Sequence, residues 1–220
     1  MSIRVQILDA GGFFRRRLPL VRRAVQQAVA HVESVSDLSD VDLVVNPTDF
    51  GRDQFSIAAF TMGPHNIHIG VERSQLSSDD LETDLFRTTV HELHHAARWR
   101  EIGKWTVGEA LILEGLALVA DHAAAGPQDL TDRPLEDVGG ALDYMVANRR
   151  EKLEAHRSWL YTSEPTQPGA IPRVYTVGFL LMDAATRRLG LTAWEAAKLD
   201  AETLLETAVM AVAEPARKTG

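Results

Sequence analysis

His91-Glu92-Leu93-His94-His95 stands inside a stretch, Ser77 to Arg100, whose apolar residues Leu81, Leu85, Val90, Leu93 and Ala97 recur at helical spacing. The order His-Glu-x-x-His, carried on a helix, is the pattern of a zinc hydrolase site. At about 100° per residue, positions four apart differ by roughly 40°, so His91 and His95 project side by side and can hold one metal ion. Glu92 falls on the neighbouring flank, placed to take a proton from a water rather than to ligate. His94 points to one side and reads as a packing or hydrogen-bonding residue. Shuffling the same composition produces such a pentad in about 2% of chains, so its weight comes from its surroundings.

The chain that carries the pentad has 220 residues, enough for one domain with a real core. It contains no cysteine, which removes disulfides, thiolate zinc sites and cysteine nucleophiles together and suits a reducing compartment. A net charge of −8 argues against nucleic acid or an anionic membrane as partner. The one basic concentration, Arg15-Arg16-Arg17 with Arg22-Arg23, reads as a solvated face at a helix start. Apolar residues alternate at the N-terminus instead of forming a signal-peptide core, and no stretch approaches the ~18 apolar residues of a membrane span. The cytoplasm is the expected location. Oligomeric state is not readable.

Working outward, Ile3, Val5 and Ile7 alternate as a first strand, ended by Gly11-Gly12. Pro19 suits the first turn of a helix with the stripe Val21, Val25, Ala28, Val29 and Val32. Val41 to Pro47 is a second strand, and strand, helix, strand implies a parallel crossover. Phe55 to Met62 and Ile67 to Val71 form a hairpin around Gly63-Pro64-His65-Asn66. Ser77 or Ser78 caps the motif helix, which runs to about Arg100. Thr106-Val-Gly-Glu109 has capping-box form and opens a helix ending near Gly126-Pro127. Asp132-Arg-Pro134 starts a third helix that runs to about Trp159, Tyr161 to Arg173 is a Pro-rich loop, and Val174 to Leu189 is a fourth helix closed by Gly190. Thr192-Ala-Trp-Glu195 caps a short helix, and 215–220 is a tail. The fold class is α+β in a single domain over 1–220: a small mixed sheet part over 1–75, then a helical part over 76–214.

A catalytic zinc takes three protein ligands and keeps one position open. Glu114, 18 intervening residues after His95, is the candidate third ligand, with Glu109 as competitor. It lies in Leu-Ile-Leu-Glu114-Gly-Leu-Ala, an apolar setting where a carboxylate is costly unless paired. Asp121, seven residues on and roughly 20° around the helix, either orients a ligand histidine or is a solvated or His122-paired carboxylate.

His91-Glu-x-x-His95, 18 residues, then Glu114-Gly-Leu-Ala resembles the gluzincin branch of the zincin metallopeptidases. The wider string His-Glu-Leu-His-His-Ala-Ala-Arg-Trp, followed by Gly-Glu-Ala-Leu-Ile-Leu-Glu-Gly-Leu-Ala, is similar to a bacterial domain family of predicted zinc-dependent proteases. The strong likeness covers residues 88 to 122. It implies a zincin-like fold, a Zn2+ cofactor, a peptide or protein substrate, and an edge strand just before the motif helix lining the cleft, on Phe60 to Glu72. Tyr175, in Val-Tyr175-Thr-Val-Gly178, resembles the downstream Tyr-x-x-Gly of those families; its phenol is either a donor to the developing oxyanion or an ordinary tyrosine at a helix start. One departure matters. Gluzincin aminopeptidases carry an upstream Gly-x-Met-Glu-Asn that grips a free amine, whereas this chain reads Ala-Phe-Thr-Met-Gly-Pro-His-Asn, without the glutamate. Aminopeptidase specificity is therefore not implied. A zinc peptidase is the leading expectation; a non-catalytic zincin-like metal-binding or regulatory module and an amidase acting on a non-peptide substrate are the alternatives.

Overall fold

The alternation near the N-terminus becomes a short strand, β1 (Arg4–Ile7), in the computed structural model, which describes residues 2–48, 57–127, 138–161 and 173–213. Gly12, at φ +62°, turns the chain out of the strand, since this left-handed backbone is open to glycine without steric cost. Helix α1 (Leu18–Val35) follows with Pro19 in its first turn and buries Val21, Ala24, Val25, Ala28, Val29 and Val32, a stripe of three- and four-residue steps. The chain returns as β2 (Asp42–Thr48), parallel to β1. Then β3 (Ile57–Thr61) and β4 (Asn66–Glu72) form the expected antiparallel hairpin, with Gly63 at φ +141° in its turn.

The strand order is β1-β2-β4-β3, with β2 and β4 parallel. This corrects the expected edge strand. The strand just before the motif helix, β4, is interior, because the hairpin folds β3 back along its outer side; among the described residues the edge on that side is β3, so only Phe60 and Thr61 of the expected range belong to it. Leu43, Val45, Ile67, Ile69 and Val71 are fully buried on one face of the sheet. Helix α2 (Leu81–Trp99) packs against β3, β4 and α1, burying Leu81, Leu85, Val90 and Leu93. Its cap also differs from expectation. Ser77 closes a 3-10 turn (Arg73–Ser77) and the Ser78 hydroxyl accepts from the Asp80 amide, so the helix begins after Asp80.

The remaining helices are α3 (Val107–Ala125), α4 (Val138–Asn148), α5 (Leu153–Tyr161), α6 (Arg173–Leu189), α7 (Ala193–Ala196) and α8 (Ala201–Ala213). The architecture is therefore α+β, a small four-stranded mixed sheet followed by a mostly helical part. The chain divides into two compact units, one of Met1–Arg100 with Ala123–Ala125, the other of Glu101–His122 with Gly126–Gly220. The expected start of a helix at 132–134, most of the Pro-rich loop (162–172), Phe55 in the hairpin and the tail lie outside the described residues.

In the second unit the Thr106 hydroxyl accepts from the Glu109 amide, as the capping pattern anticipates. α7 carries the full reciprocal box between Thr192 and Glu195. The single helix expected to end near Trp159 is instead two. Residues 149–152 leave the helical path to meet the start of α3: Val107 N donates to Glu151 O, Gly108 N donates to Arg149 O, and Leu153 N donates to Trp105 O. The first turn of a helix has amides with no intrahelical acceptor, and two of those of α3 are satisfied this way. Gly108 is what allows the approach, since a Cβ there would lie 2.9 Å from Arg149 O and 2.6 Å from Leu205 Cδ1.

The same segment is held from α8. Arg149 and Arg150 both donate to Glu202, at 2.7 and 2.8 Å, and these hydrogen bonds hold the Glu202 carboxyl well below the usual range, at about 2. A carboxyl depressed in the folded state stabilises fully above its ordinary titration range, and that contribution fades as pH falls towards the folded value. Glu202→Gln should therefore lower the melting temperature at pH 7 and make the loss of stability between pH 5 and pH 2 shallower, measured by thermal unfolding across that range.

Candidate metal centre

Helix α2 presents the pentad as its periodicity requires. His91 is partly exposed, whereas Glu92 and His95 are buried at 6% and 7% exposure. The imidazoles of His91 and His95 lie with ring centroids 4.4 Å apart, and one ligand atom from each of His91, Glu92 and His95 falls within 4.8 Å of the others. His94 is fully buried and outside this group. Two imidazoles and a carboxylate around one point are a nitrogen and oxygen donor set that suits zinc.

A residue that the spacing does not reveal joins them. Thr61, the last residue of β3, places its hydroxyl 2.7 Å from Glu92 Oε2 and 3.0 Å from Glu92 O. A hydroxyl has one proton and donates to one of these oxygens at a time. Strand alternation puts Ile57, Ala59 and Thr61 on the face towards α2 while Phe60 turns outwards, 56% exposed. Thr61 is separated from Glu92 by 31 positions, so no local pattern announces it.

The other expected site residues lie in the second unit. Glu114 and Asp121 sit on α3, at 7% and 2% exposure. Every residue from Val107 to Leu118 is buried, which fits the nearly uniform apolar character of this helix. His122 packs edge-on against Phe179, ring centroids 4.8 Å apart. Tyr175 occupies the first turn of α6 and is partly exposed. A second phenol, Tyr161 at the end of α5, was not anticipated. Burial pushes its pKa well above the usual tyrosine range, the Glu114 carboxylate adds to the rise and Arg157 partly opposes it, so the hydroxyl keeps its proton near that carboxylate.

The glycines that follow Glu114 and Tyr175 in the two motifs pack against one another. A Cβ on Gly115 would come within 2.1 Å of Gly178 O, and one on Gly178 within 2.6 Å of Leu111 O. α3 and α6 thus cross backbone to backbone, one residue beyond Glu114 and three beyond Tyr175. Glycine in mid-helix costs about 1 kcal/mol relative to alanine, so its presence inside two helices signals a close approach of this kind.

A family model described as predicted Zn-dependent protease (DUF2268) matches residues 21–206. The chain belongs to this family. No curated protein and no solved structure gives a match. The match to this family of predicted Zn-dependent proteases spans β2, β3 and β4, the motif helix α2, and the helices that carry Glu114 and Tyr175.

The crossing makes a sharp expectation for this family member. Gly115→Ala or Gly178→Ala should destabilise by about 2 kcal/mol despite alanine's better helix propensity, because the obstructing atoms are backbone. Gly103→Ala, where a Cβ would meet nothing within 4 Å, is the control and should leave urea unfolding nearly unchanged.

Proposed function

We propose that the protein is a zinc-dependent peptidase of gluzincin type, with His91, His95 and Glu114 as metal ligands and Glu92 as general base. The observation that carries this reading is the convergence of His91, Glu92 and His95 within 4.8 Å on α2. Zinc, when bound, would polarise the scissile carbonyl and make a water easier to deprotonate at neutral pH. The protein side chains supply the rest. Glu92 accepts the proton of the attacking water and passes it to the departing amine. Glu114 is supported by its spacing of 18 intervening residues after His95. Asp121, on the same side of α3, accepts from a ligand histidine and fixes its ring. Tyr175 donates to the oxygen that gains negative charge.

The substrate is a peptide or protein segment in extended form. β3 is an edge strand among the described residues, and an extended chain adds to such an edge through backbone hydrogen bonds. No helix among the described residues is long and apolar enough to cross a membrane. Action on a free N-terminus is not part of this proposal, because the stretch Ala59 to Asn66 lacks the amine-gripping glutamate.

Glu92→Gln should retain about one metal per chain while hydrolysis of a mixed fluorogenic peptide library falls ~10²–10⁴-fold, the usual worth of a general base. His91→Ala should lose the metal as well. Metal content by elemental analysis, read beside the hydrolysis rate, separates the two roles; undiminished hydrolysis by Glu92→Gln overturns the mechanism.

A further inference from the structure

The carboxylate of Glu92 lies close enough to His91 and His95 to compete for the role of ligand. All three ligand atoms sit within 4.8 Å of one another, whereas two ligands of a tetrahedral zinc, with bonds of about 2.1 Å, stand roughly 3.4 Å apart. A modest rotation of Glu92 would close that difference. A glutamate drawn into coordination is a much weaker base, since the cation withdraws electron density from its carboxylate and occupies one of its oxygens. Something must therefore hold it back, and β3 supplies the restraint: the Thr61 hydroxyl stands 2.7 Å from Glu92 Oε2, within the range of a charge-assisted bond to a carboxylate.

We infer that Thr61 is a positioning residue whose hydroxyl tethers Glu92 to the edge strand and so keeps it beside the metal as a base instead of on the metal as a ligand. The inference rests on the metal site proposed above. The tether is well anchored. Thr61 pairs with Ile67 of β4, and the hairpin turn beyond it is fixed by Asp42 N donating to His65 O, with Arg100 donating to Ser39 O and to Pro64 O. Threonine and valine have nearly the same shape, so Thr61→Val removes the donor while leaving the packing of β3 on α2 in place. Serine keeps the donor.

The test is cobalt binding to the purified metal-free full-length chain, followed by visible absorption and by titration against a chelator. Wild type and Thr61→Ser should give the same spectrum and affinity. Thr61→Val should bind Co2+ on the order of tenfold more tightly, with weaker visible bands as the coordination number rises. Adding Glu92→Gln to Thr61→Val should abolish both changes, which assigns them to the glutamate. If Thr61→Val folds poorly by circular dichroism, Thr61→Ala provides the same comparison. A Thr61→Val spectrum and affinity equal to wild type overturn the tether while leaving the metal site standing. A wild-type chain that takes up no Co2+ overturns the metal site and the tether together.

Discussion

The carboxylate of Glu92 is buried beside two imidazoles on a helix that must also cover a sheet, and that placement constrains everything around it. Taking a carboxylate out of water costs several kcal/mol unless hydrogen bonds replace the lost solvation. The hydroxyl of Thr61 is one such replacement. It also fixes the register of β3 against α2. A slip of one residue would turn the strand over and offer Glu92 either Phe60 or Met62, both large and apolar, in place of a donor. The turn at Gly63, the pairing of Thr61 with Ile67 and the reach of Arg100 to Ser39 and Pro64 all act on that register. The edge of the sheet and the face of the helix that carries His91, Glu92 and His95 are one construction.

Much of this was legible along the chain because it depends on neighbours in sequence. The stripe of α1, the capping by Thr106, the box at Thr192 and the approach of His91 to His95 follow from 3.6-residue periodicity or from contacts three residues apart. What escaped depends on distant partners. Thr61 meets Glu92 across 31 positions, and the interior place of β4 depends on which side the hairpin folds. The break between α4 and α5 has no strong local cause, since residues 149–152 contain neither proline nor glycine. It arises because the start of α3 needs acceptors and the clasp of Glu202 on two arginines holds the segment where it supplies them.

Gly115 and Gly178 show the opposite relation between local and global preference. Each weakens its own helix, and each is required by the other helix's backbone. Their closeness fixes how α3 and α6 cross at the level of Glu114 and Tyr175, because the nearest atoms across the crossing are backbone. The motif glycines thus belong to the architecture of the second unit, while the residues they follow carry the proposed chemistry.

The joining of Val107 and Gly108 to Arg149 and Glu151 also has a consequence in time. As the chain is synthesised from its N-terminus, α3 emerges with its Thr106 cap present but two of its leading amides awaiting carbonyls that follow much later. Those carbonyls arrive only with the segment after α4, and the clasp that steadies them waits for α8. Domains fold as units when their distant parts become available together. The sheet and α2 can assemble early, whereas the helix bearing Glu114 gains its complete first turn only after residues 149–151 and α8 have emerged, so a nascent chain holds its histidine pair before the segment carrying its proposed third ligand is secured.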